Sequence, residues 1–288
     1  MENRRGFTIV EMLVAIAIVG VMLALLIPAV MRAREAATKT KSMNNLKQCA
    51  IAIHHFSDAH NGQCPSLGGA PPNVSESLFF AILPYVEEEN YYTGVKAGTL
   101  PNSSFHSVKM FLSPADPTID FAHTENLSSY AANAMCFDRL ATYPENFPDG
   151  TSNTIGFAEH YAFRRGGTQF CWFFPQAVAF PDGLIAHRAS FAEFHASPPG
   201  LYGIVPPDIY PVTAGDPPVS TGSAPGLTFQ AAPPVSNYDP RLAQTPHRGG
   251  MLVAMMDGSV QTLSPGIDAT VYWALVTPEG RENFQAPW

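Results

Sequence analysis

The sequence predicts an α+β fold in which a long N-terminal helix packs on a globular domain built mainly from antiparallel β-strands. Two observations support this class. Residues 12–30 form an apolar run, and a helical spacing of apolar residues continues from it to about residue 60. Downstream, short apolar segments alternate with turn sequences, and in the stretch 247–263 two strand-like segments flank Asp257-Gly258, which predicts a hairpin.

The apolar run at residues 12–30 holds 19 residues without a charge. A membrane-spanning helix needs about 20 mainly apolar residues. This run is apolar on every side, whereas the core helix of a soluble protein keeps a polar face. We therefore predict that the segment crosses a membrane once.

The charges of the chain are split between two parts. Residues 1–47 hold seven Arg or Lys and three Glu, a net charge of +4, whereas residues 48–288 carry a net charge of −12. An acidic globular part has no basic footprint for nucleic acid, so we expect no nucleic-acid partner. The basic stretch that follows the apolar run indicates contact with a membrane surface.

Three ordinary interpretations fit this N-terminal segment poorly. A cleaved secretory signal has an apolar core of about 7–15 residues, whereas this run is longer and leads into Arg32 without a small-x-small site. Arg4-Arg5 indicates a twin-arginine signal, but Glu11 within the apolar stretch does not suit one. A plain anchor leaves Glu11 unexplained, although an ionisable group in a span usually has a partner.

The string Arg4-Arg5-Gly6-Phe7-Thr8-Ile9-Val10-Glu11 closely resembles the type IV prepilin signal of a basic leader, Gly, Phe and a Glu four residues on. The resemblance implies that a prepilin peptidase cleaves between Gly6 and Phe7 and N-methylates Phe7. It also implies that Glu11 meets the N-terminal amine of a neighbouring subunit. In a low dielectric such a pair rewards correct axial register during assembly.

The same resemblance implies a single-pass protein of the cell inner membrane whose globular domain is extracytoplasmic. Other pilin-like subunits and membrane lipid are then expected partners, besides the peptidase. The positive-inside rule predicts the opposite orientation, because two basic residues precede the span and five follow it. Those five are Arg32, Arg34, Lys39, Lys41 and Lys47. We follow the leader, because it is the more specific signal.

These signals predict the organisation of the chain. Residues 1–6 are the leader, residues 7–30 the transmembrane and assembly helix, and residues 31–62 a continuation that packs on the globular domain. The resemblance implies the lollipop shape of pilins for this arrangement. The extracytoplasmic domain, 63–288, contains an irregular insertion at 196–240 that holds 11 of the 27 prolines.

The long helix is expected to run from residue 7 to about residue 60, a length of about 80 Å, with a kink at Pro28. Asn61-Gly62 is a typical helix end. The last turns carry His54, His55, Asp58 and His60. The spacing of His54 and Asp58 suits a metal ion, but a solvated helix end, where His complements the helix dipole, explains the same residues.

Downstream, the pattern predicts a short helix at 77–89 and strands at 108–112, 128–135, 153–157 and 170–174. At 251–263, Asp257-Gly258 predicts a two-residue turn between two strands. His247, Asp257 and Ser259 have the residue types of a hydrolase triad. The hairpin explains Asp257 and Gly258 without catalysis and no nucleophile elbow is present, so we expect no enzyme and no catalytic residues.

His247 and Asp257-Gly258 form the pattern H-x9-DG. Four further strings precede it in the chain: Asn44-Asn45-Leu46-Lys47-Gln48, Ile82-Leu83-Pro84-Tyr85, Ser129-Tyr130-Ala131-Ala132-Asn133, and Asp149-Gly150-Thr151-Ser152-Asn153-Thr154 with Glu159. Together they resemble the pilin-like proteins, abundant in planctomycetes, that carry the domain of unknown function 1559. Many of those proteins have Cys where this chain has Met43 and Ser113. We expect His247, Asp257 and Gly258 to be structural.

The four cysteines, Cys49, Cys64, Cys136 and Cys171, form no CxxC pair, so zinc and redox motifs have no support. Two interpretations stay open: a disulfide, for which we choose Cys136 with Cys171, or four small buried hydrophobic side chains. No cofactor is expected. Asp116, Asp120 and Asp182 give no support for calcium.

We therefore expect a pilin-like or pseudopilin subunit of a type IV pilus or type II secretion filament. The alternative is a membrane-anchored extracytoplasmic binding module for a glycan or another surface polymer. Its basis is the presence of 19 Phe, 10 Tyr and 3 Trp, because exposed aromatic rings suit the faces of sugars.

Overall fold

The computed structural model describes residues 9–67, 76–100, 106–119, 126–137, 141–164, 168–173, 178–179, 185–192, 227–239 and 242–279. The predicted leader, Phe7 and most of the predicted insertion at 196–240 lie outside these residues. The chain divides into two compact units, Met1–Thr40 and Lys41–Trp288. We call them the first unit and the second unit.

The helix α1 spans Ile9–Ala59 without interruption, so the long N-terminal helix of the predicted fold is confirmed. Pro28 lies inside it, and the helical assignment continues on both sides. The helix ends where the sequence predicts, because Asn61 and Gly62 adopt positive φ angles of 55° and 84°. The Gly62 amide donates to the carbonyl of Ser57 at 2.9 Å, the bond that closes a Schellman-type end.

The remaining helices of the described residues are short: α2 (Leu78–Ala81), α3 (Glu89–Lys96), α4 (Ala134–Phe137) and α5 (Ala269–Val276). The predicted helix at 77–89 begins correctly, because Ser77 Oγ accepts a hydrogen bond from the Phe80 amide at 3.0 Å. It is not continuous, since a separate 3₁₀ turn, Leu83–Tyr85, follows α2 with Pro84 at its start. A proline cannot supply the amide that a continuing α-helix needs.

The described strands are β1 (Tyr130–Asn133), β2 (Ile155–Glu159), β3 (Phe163–Arg164), β4 (Thr168–Cys171), β5 (Val178–Ala179), β6 (Ile185–Arg188), β7 (Ser190–Phe191), β8 (Gln230–Ala231), β9 (Gln244–Thr245), β10 (Met251–Met255) and β11 (Val260–Leu263). Strands β1 and β2 confirm the predicted strands at 128–135 and 153–157 in their central parts, although β1 ends where α4 begins. Strand β4 shares only Phe170 and Cys171 with the predicted strand at 170–174. The predicted strand at 108–112 is wrong, because Lys109–Phe111 forms a 3₁₀ turn. This turn buries the Phe111 ring between Phe79 and Trp172, with centroids 4.9 and 5.8 Å away.

The described strands form three sheets, in the orders β11-β10-β2-β1-β7, β3-β4-β6-β5 and β8-β9. The first four strands of the largest sheet pair antiparallel. Parallel pairs join β1 to β7, β4 to β6 and β8 to β9. The predicted α+β class, a long helix followed by a mainly antiparallel sheet domain, is confirmed, with a mixture of strand directions that the sequence did not indicate.

The central strands β1, β2 and β10 are buried along their whole length because side chains cover both faces of the sheet. On one face Phe157 of β2 belongs to a cluster that contains Leu46 and Ile53 of α1. On the other face Tyr272 and Leu275 of α5 pack in a second cluster. Since successive side chains of a strand point to opposite faces, each strand serves both clusters.

All four cysteines are buried and free, so the predicted Cys136–Cys171 disulfide is wrong and the four thiols act as small core side chains. The Cys136 thiol lies 3.6 Å from the carbonyl oxygen of Ile155, to which it donates. Burial raises the pKa of Cys49 and of Cys64 to about 12 in each case. These thiols therefore stay protonated at neutral pH.

Strands β10 and β11 form a hairpin, with Met251 opposite Leu263. Its loop has three residues instead of the predicted two. The Met255 amide donates to Ser259 at 2.8 Å, and the Gly258 amide donates to Met255 at 3.0 Å. Gly258 has a φ of 84°, which a bulged three-residue hairpin requires at this place.

Candidate functional site

The first half of α1 carries its apolar side chains on the outside. Every residue from 9 to 37 is exposed, including Ile16, Leu25 and Ile27. By length and composition this helix can cross a membrane, and no part of its most apolar 18-residue window is buried. An exposed apolar surface of this extent requires a non-aqueous environment or a partner surface.

Glu11 lies in the first turn of α1. The next charged residue is Arg32, which is 21 residues further along the helix. At 1.5 Å per residue the two charges are about 32 Å apart along the axis, close to the ~30 Å thickness of the hydrocarbon core of a bilayer. The two charges therefore match the two edges of such a core. Gly6 and Phe7, the residues of the predicted cleavage, lie outside the described residues.

The second half of α1, from Lys41 onwards, belongs to the second unit, and polar side chains hold it against the rest of that unit. Ser42 Oγ lies 2.8 Å from Ser113 Oγ. Asn45 Nδ2 donates to the carbonyl of Leu112 and to the hydroxyl of Tyr130, both at 3.2 Å. Burial raises the pKa of Tyr130 well above its ordinary value. The side chain that meets Ser113 is thus Ser42.

The polar residues at the end of α1 do not converge. His54 donates from Nε2 to the carbonyl of Met256 at 2.8 Å, whereas His60 Nδ1 bonds to a carbonyl of its own helix at 2.8 Å. The ring of His55 stacks near that of Tyr85. In the part of the chain that the structure describes, no group of three or more His, Cys, Asp or Glu side chains can hold a metal ion.

His247, at the start of the H-x9-DG pattern, faces a buried carboxylate. Glu159 ends β2, and its Oε2 accepts from Thr245 Oγ1 at 2.5 Å and from the Leu252 amide at 3.1 Å. Its Oε1 lies 3.4 Å from His247 Nε2. The His247 amide in turn donates to Thr245 Oγ1 at 3.1 Å. These bonds connect β2, β9 and β10 inside the domain.

The other two residues of the pattern lie at the opposite end of β10. Asp257 is exposed, and its Oδ1 accepts from the amide of Ser259 at 2.8 Å, which stabilises the hairpin loop. His247 precedes the strand, whereas Asp257 and Ser259 follow it. Five strand residues at about 3.3 Å each separate the two ends. The structure therefore does not assemble His247, Asp257 and Ser259 into a hydrolase triad.

Asp116 is a second buried carboxylate. It accepts four hydrogen bonds: from the amide and the hydroxyl of Thr118 at 2.8 and 2.6 Å, from Ser129 Oγ at 2.8 Å, and from the Ala162 amide at 3.0 Å. Burial raises the pKa of the Asp116 carboxyl, and the hydrogen bonds partly oppose that effect. Protein donors occupy both oxygens, so Asp116 acts as a structural acceptor and gives calcium no open ligand.

Sequence reasoning did not identify the pairing of Glu159 with His247 or the role of Asp116. One signal was available for Glu159, because it closes an apolar strand and a charged residue there needs buried partners. The partner itself is 88 residues away along the chain, and no local pattern indicates it.

Comparisons with known proteins agree with the geometry. A family model described as protein of unknown function, DUF1559, matches residues 31–270, and a model of the prokaryotic N-terminal methylation motif matches residues 1–27. The chain is similar to the type II secretion system core protein G of Escherichia coli strain K12. The two are 28% identical over 109 residues, which cover 34% of this chain and 75% of that relative. No solved structure matches the chain significantly.

The DUF1559 match covers well over half of the chain and includes the second half of α1, the three sheets and the start of α5. The methylation motif covers the leader and most of the exposed apolar segment. The chain therefore belongs to the DUF1559 family and carries the N-terminal methylation motif of pilin-like proteins.

Proposed function

We propose that this protein is made as a prepilin-like precursor and becomes a subunit of a filament of the type II secretion or type IV pilus kind. A prepilin peptidase cleaves it between Gly6 and Phe7 and methylates the new terminus. The first half of α1 holds it in the cell inner membrane, and the second unit lies outside the cytoplasm. Its role is structural, and the chemistry is done to it at the Gly6–Phe7 bond.

The observation that carries this proposal is the coincidence of the methylation motif with an exposed apolar half-helix. Residues 9–31 have no interior side, and Glu11 is the one charge among them. A carboxylate at the edge of a span is expensive unless it finds a cation. We infer that the mature amine of Phe7 in a neighbouring subunit attracts the Glu11 carboxylate in the low dielectric of the membrane, and that this attraction sets the register of one subunit against the next.

The similarity to core protein G favours a type II secretion filament over a type IV pilus. It covers three quarters of that relative but about a third of this chain, so most of the second unit lies outside the region of similarity. We infer that the shared part includes the membrane and assembly helix. Because 34% of the chain is longer than the 51 residues of α1, the similarity also extends beyond that helix. We infer that most of the sheet domain is particular to the DUF1559 family.

Mass spectrometry of the mature protein tests the processing step. The expected N-terminal peptide begins with N-methylated Phe7, because the peptidase reads the Gly before it. Replacing Gly6 with Val should leave the precursor uncut. Gly20→Ala is the matched control, since Gly20 has open space around it and lies inside the span. An intact Met1 terminus, or a cut near residue 30, would overturn the proposal.

The orientation needs its own experiment, because the basic residues after the span predict the opposite one. Alkaline phosphatase fused after residue 62 is expected to be active, since it folds only outside the cytoplasm. β-Galactosidase fused at the same residue should be inactive, because that enzyme works only inside the cytoplasm. An inactive phosphatase fusion together with an active β-galactosidase fusion would show that the flanking charges, and not the leader, decide the orientation.

The assembly role of Glu11 is tested by Glu11→Ala with Glu35→Ala as the control. Both residues lie on α1, but only Glu11 falls within the predicted span. We expect Glu11→Ala to be processed normally and to be lost from sheared or crosslinked filaments, and Glu35→Ala to assemble. Equal assembly of the two variants would remove Glu11 from the mechanism.

The described residues add no support to the alternative, a glycan-binding module. Among the described residues, the exposed large hydrophobic side chains are Ile, Val, Leu and Met, and none is Phe, Tyr or Trp. Trp172, Tyr130 and Tyr161 are instead among the largest fully buried side chains. The aromatic residues of the described second unit mainly build its core.

A further inference from the structure

We propose that the basic residues that follow the span, Arg32, Arg34 and Lys39, bind the headgroups of anionic phospholipids in the leaflet where α1 leaves the membrane. We call these three residues the basic collar. The inference rests on the proposed membrane anchoring and deepens it, because it names the lipid class and the side chains that select it.

The collar lies where the apolar run of α1 ends. Val30 and Met31 are exposed apolar residues, and Arg32 follows them directly on the same helix. The headgroup layer of one leaflet is about 5–8 Å thick, which corresponds to about four or five helical residues. Arg32 and Arg34 therefore fall in that layer when residues 12–30 fill the hydrocarbon core. Lys39 lies about 10 Å beyond Arg32, within the range of the surface potential.

The charges of the collar lie on opposite faces of the helix. At about 100° per residue, Lys39 lies on the same face as Arg32, whereas Arg34 is about 200° away, on the opposite face. One flat protein surface reaches only one of these faces. A headgroup layer surrounds the helix and reaches both, so the arrangement fits lipid better than a second copy of the chain.

The two arginines of the collar are accessible to a ligand. Arg32 and Arg34 are exposed, and neither has an ion-pair partner among the described residues. Glu35 is the one acidic residue nearby, three residues after Arg32 and four before Lys39, so the three basic residues keep an excess of positive charge over it. A guanidinium group binds a phosphate with two parallel hydrogen bonds, which suits phospholipid headgroups.

The collar also gives a reason for basic residues on the side of the span where the positive-inside rule does not expect them. Before assembly they hold the helix at a fixed depth by contact with anionic lipid. This fixed depth keeps Glu11 at the opposite edge of the core, about 32 Å away along the axis. The lipid contact of the collar at one end of the span then fixes the depth of the Glu11 carboxylate at the other end.

The test uses the full-length protein, purified from membranes in mild detergent and titrated with phosphatidylglycerol or phosphatidylcholine under native mass spectrometry. The wild-type protein should retain phosphatidylglycerol in preference to phosphatidylcholine. Arg32→Gln/Arg34→Gln should weaken phosphatidylglycerol retention about 25-fold, from about fivefold for each charge removed. The control is Lys109→Gln/Arg248→Gln, which removes two exposed charges from the second unit and should leave retention unchanged.

Equal retention of the two lipids by the wild-type protein, or equal phosphatidylglycerol retention by wild type and collar variant, would overturn the inference. A collar variant that self-associates less while keeping its lipid would assign the collar to a second copy of the chain. The same preparation gives the N-terminal peptide. A protein that keeps Met1 contradicts the proposed function, whereas a processed, membrane-extracted protein without lipid preference contradicts the collar alone.

Discussion

The two compact units of this chain place the same kinds of residue in opposite environments. In the described part of the first unit, residues 9–40, the apolar side chains are exposed, and Glu35 shares that exposed surface. In the described part of the second unit most apolar side chains are inside, and two carboxylates, Asp116 and Glu159, are buried with them. One helix, α1, belongs to both arrangements.

The comparison shows that each unit is built for a different solvent. The described residues of the first unit form no interior, so a membrane or a partner surface must supply the contacts that an interior would give. In the second unit the two buried carboxylates receive hydrogen bonds from other protein groups, because an unpaired carboxylate inside a protein is expensive. A substitution should therefore have opposite consequences in the two units, and matched pairs of variants test this directly.

The largest effect is expected at Glu159. Glu159→Ala removes the acceptor for the Thr245 hydroxyl and for the Leu252 amide, and with it the carboxylate that lies 3.4 Å from His247 Nε2. It should lower the free energy of unfolding by about 3–5 kcal/mol. Glu35→Ala, on the exposed helix, should change it by less than about 0.5 kcal/mol. Urea unfolding of the full protein in detergent, followed through tryptophan fluorescence, measures both. Equal stability of the two variants would show that the buried network is dispensable.

The second pair uses one substitution at two places on α1. Ile53 is 2% exposed and packs in the core, so Ile53→Ala should lower the free energy of unfolding by about 3 kcal/mol. Ile16 is 59% exposed, and Ile16→Ala should leave the second unit as stable as before. The same urea experiment measures both. A loss of stability with Ile16→Ala would mean that the first unit also supports the folded domain.

Adjacent asparagines supply a third pair. Asn45→Ala leaves the Tyr130 hydroxyl and the Leu112 carbonyl without their partner and should cost about 1–3 kcal/mol. Asn44 is exposed, and Asn44→Ala should cost almost nothing. Thermal unfolding followed by near-ultraviolet circular dichroism compares them. An effect of Asn44 as large as that of Asn45 would contradict the docking of α1 through Asn45.

The smallest effect is expected for the native thiols. Because the pKa of Cys49 and of Cys64 is raised to about 12, about one molecule in ten thousand carries a thiolate at pH 8. We expect no iodoacetamide adduct on the folded protein and four after unfolding in urea, by intact mass. Ala33→Cys places a thiol on the exposed first unit and should react at once. Adducts that appear only after reduction would instead indicate a disulfide.

Local signals predicted those parts of the fold that depend on nearby residues. The end of α1 at Asn61-Gly62 follows from backbone conformation, and the hairpin at β10 and β11 follows from apolar strands around Gly258. The start of α2 at Ser77 follows from its capping hydroxyl. In each case the residues that decide the structure lie within a few positions of one another.

The errors occur where distant residues decide. The segment at 108–112 has strand propensity, yet the ring of Phe111 enters a pocket between Phe79 and Trp172, and a 3₁₀ turn places it there. The parallel strands, such as β7 beside β1, join segments that are far apart in the chain. The contact of Ser42 with Ser113 likewise joins residues 71 positions apart, and no local pattern indicates it.

The polar bonds along the second half of α1 have a mechanical consequence. Ser42, Asn45 and His54 each bond to the body of the second unit, and they are spread over 12 residues, about 18 Å of helix. A pull along the helix loads these bonds side by side, in shear, instead of opening them one after another. Resistance to such a pull is set by the rate at which the bonds rupture, so the three bonds should break together and at a high force.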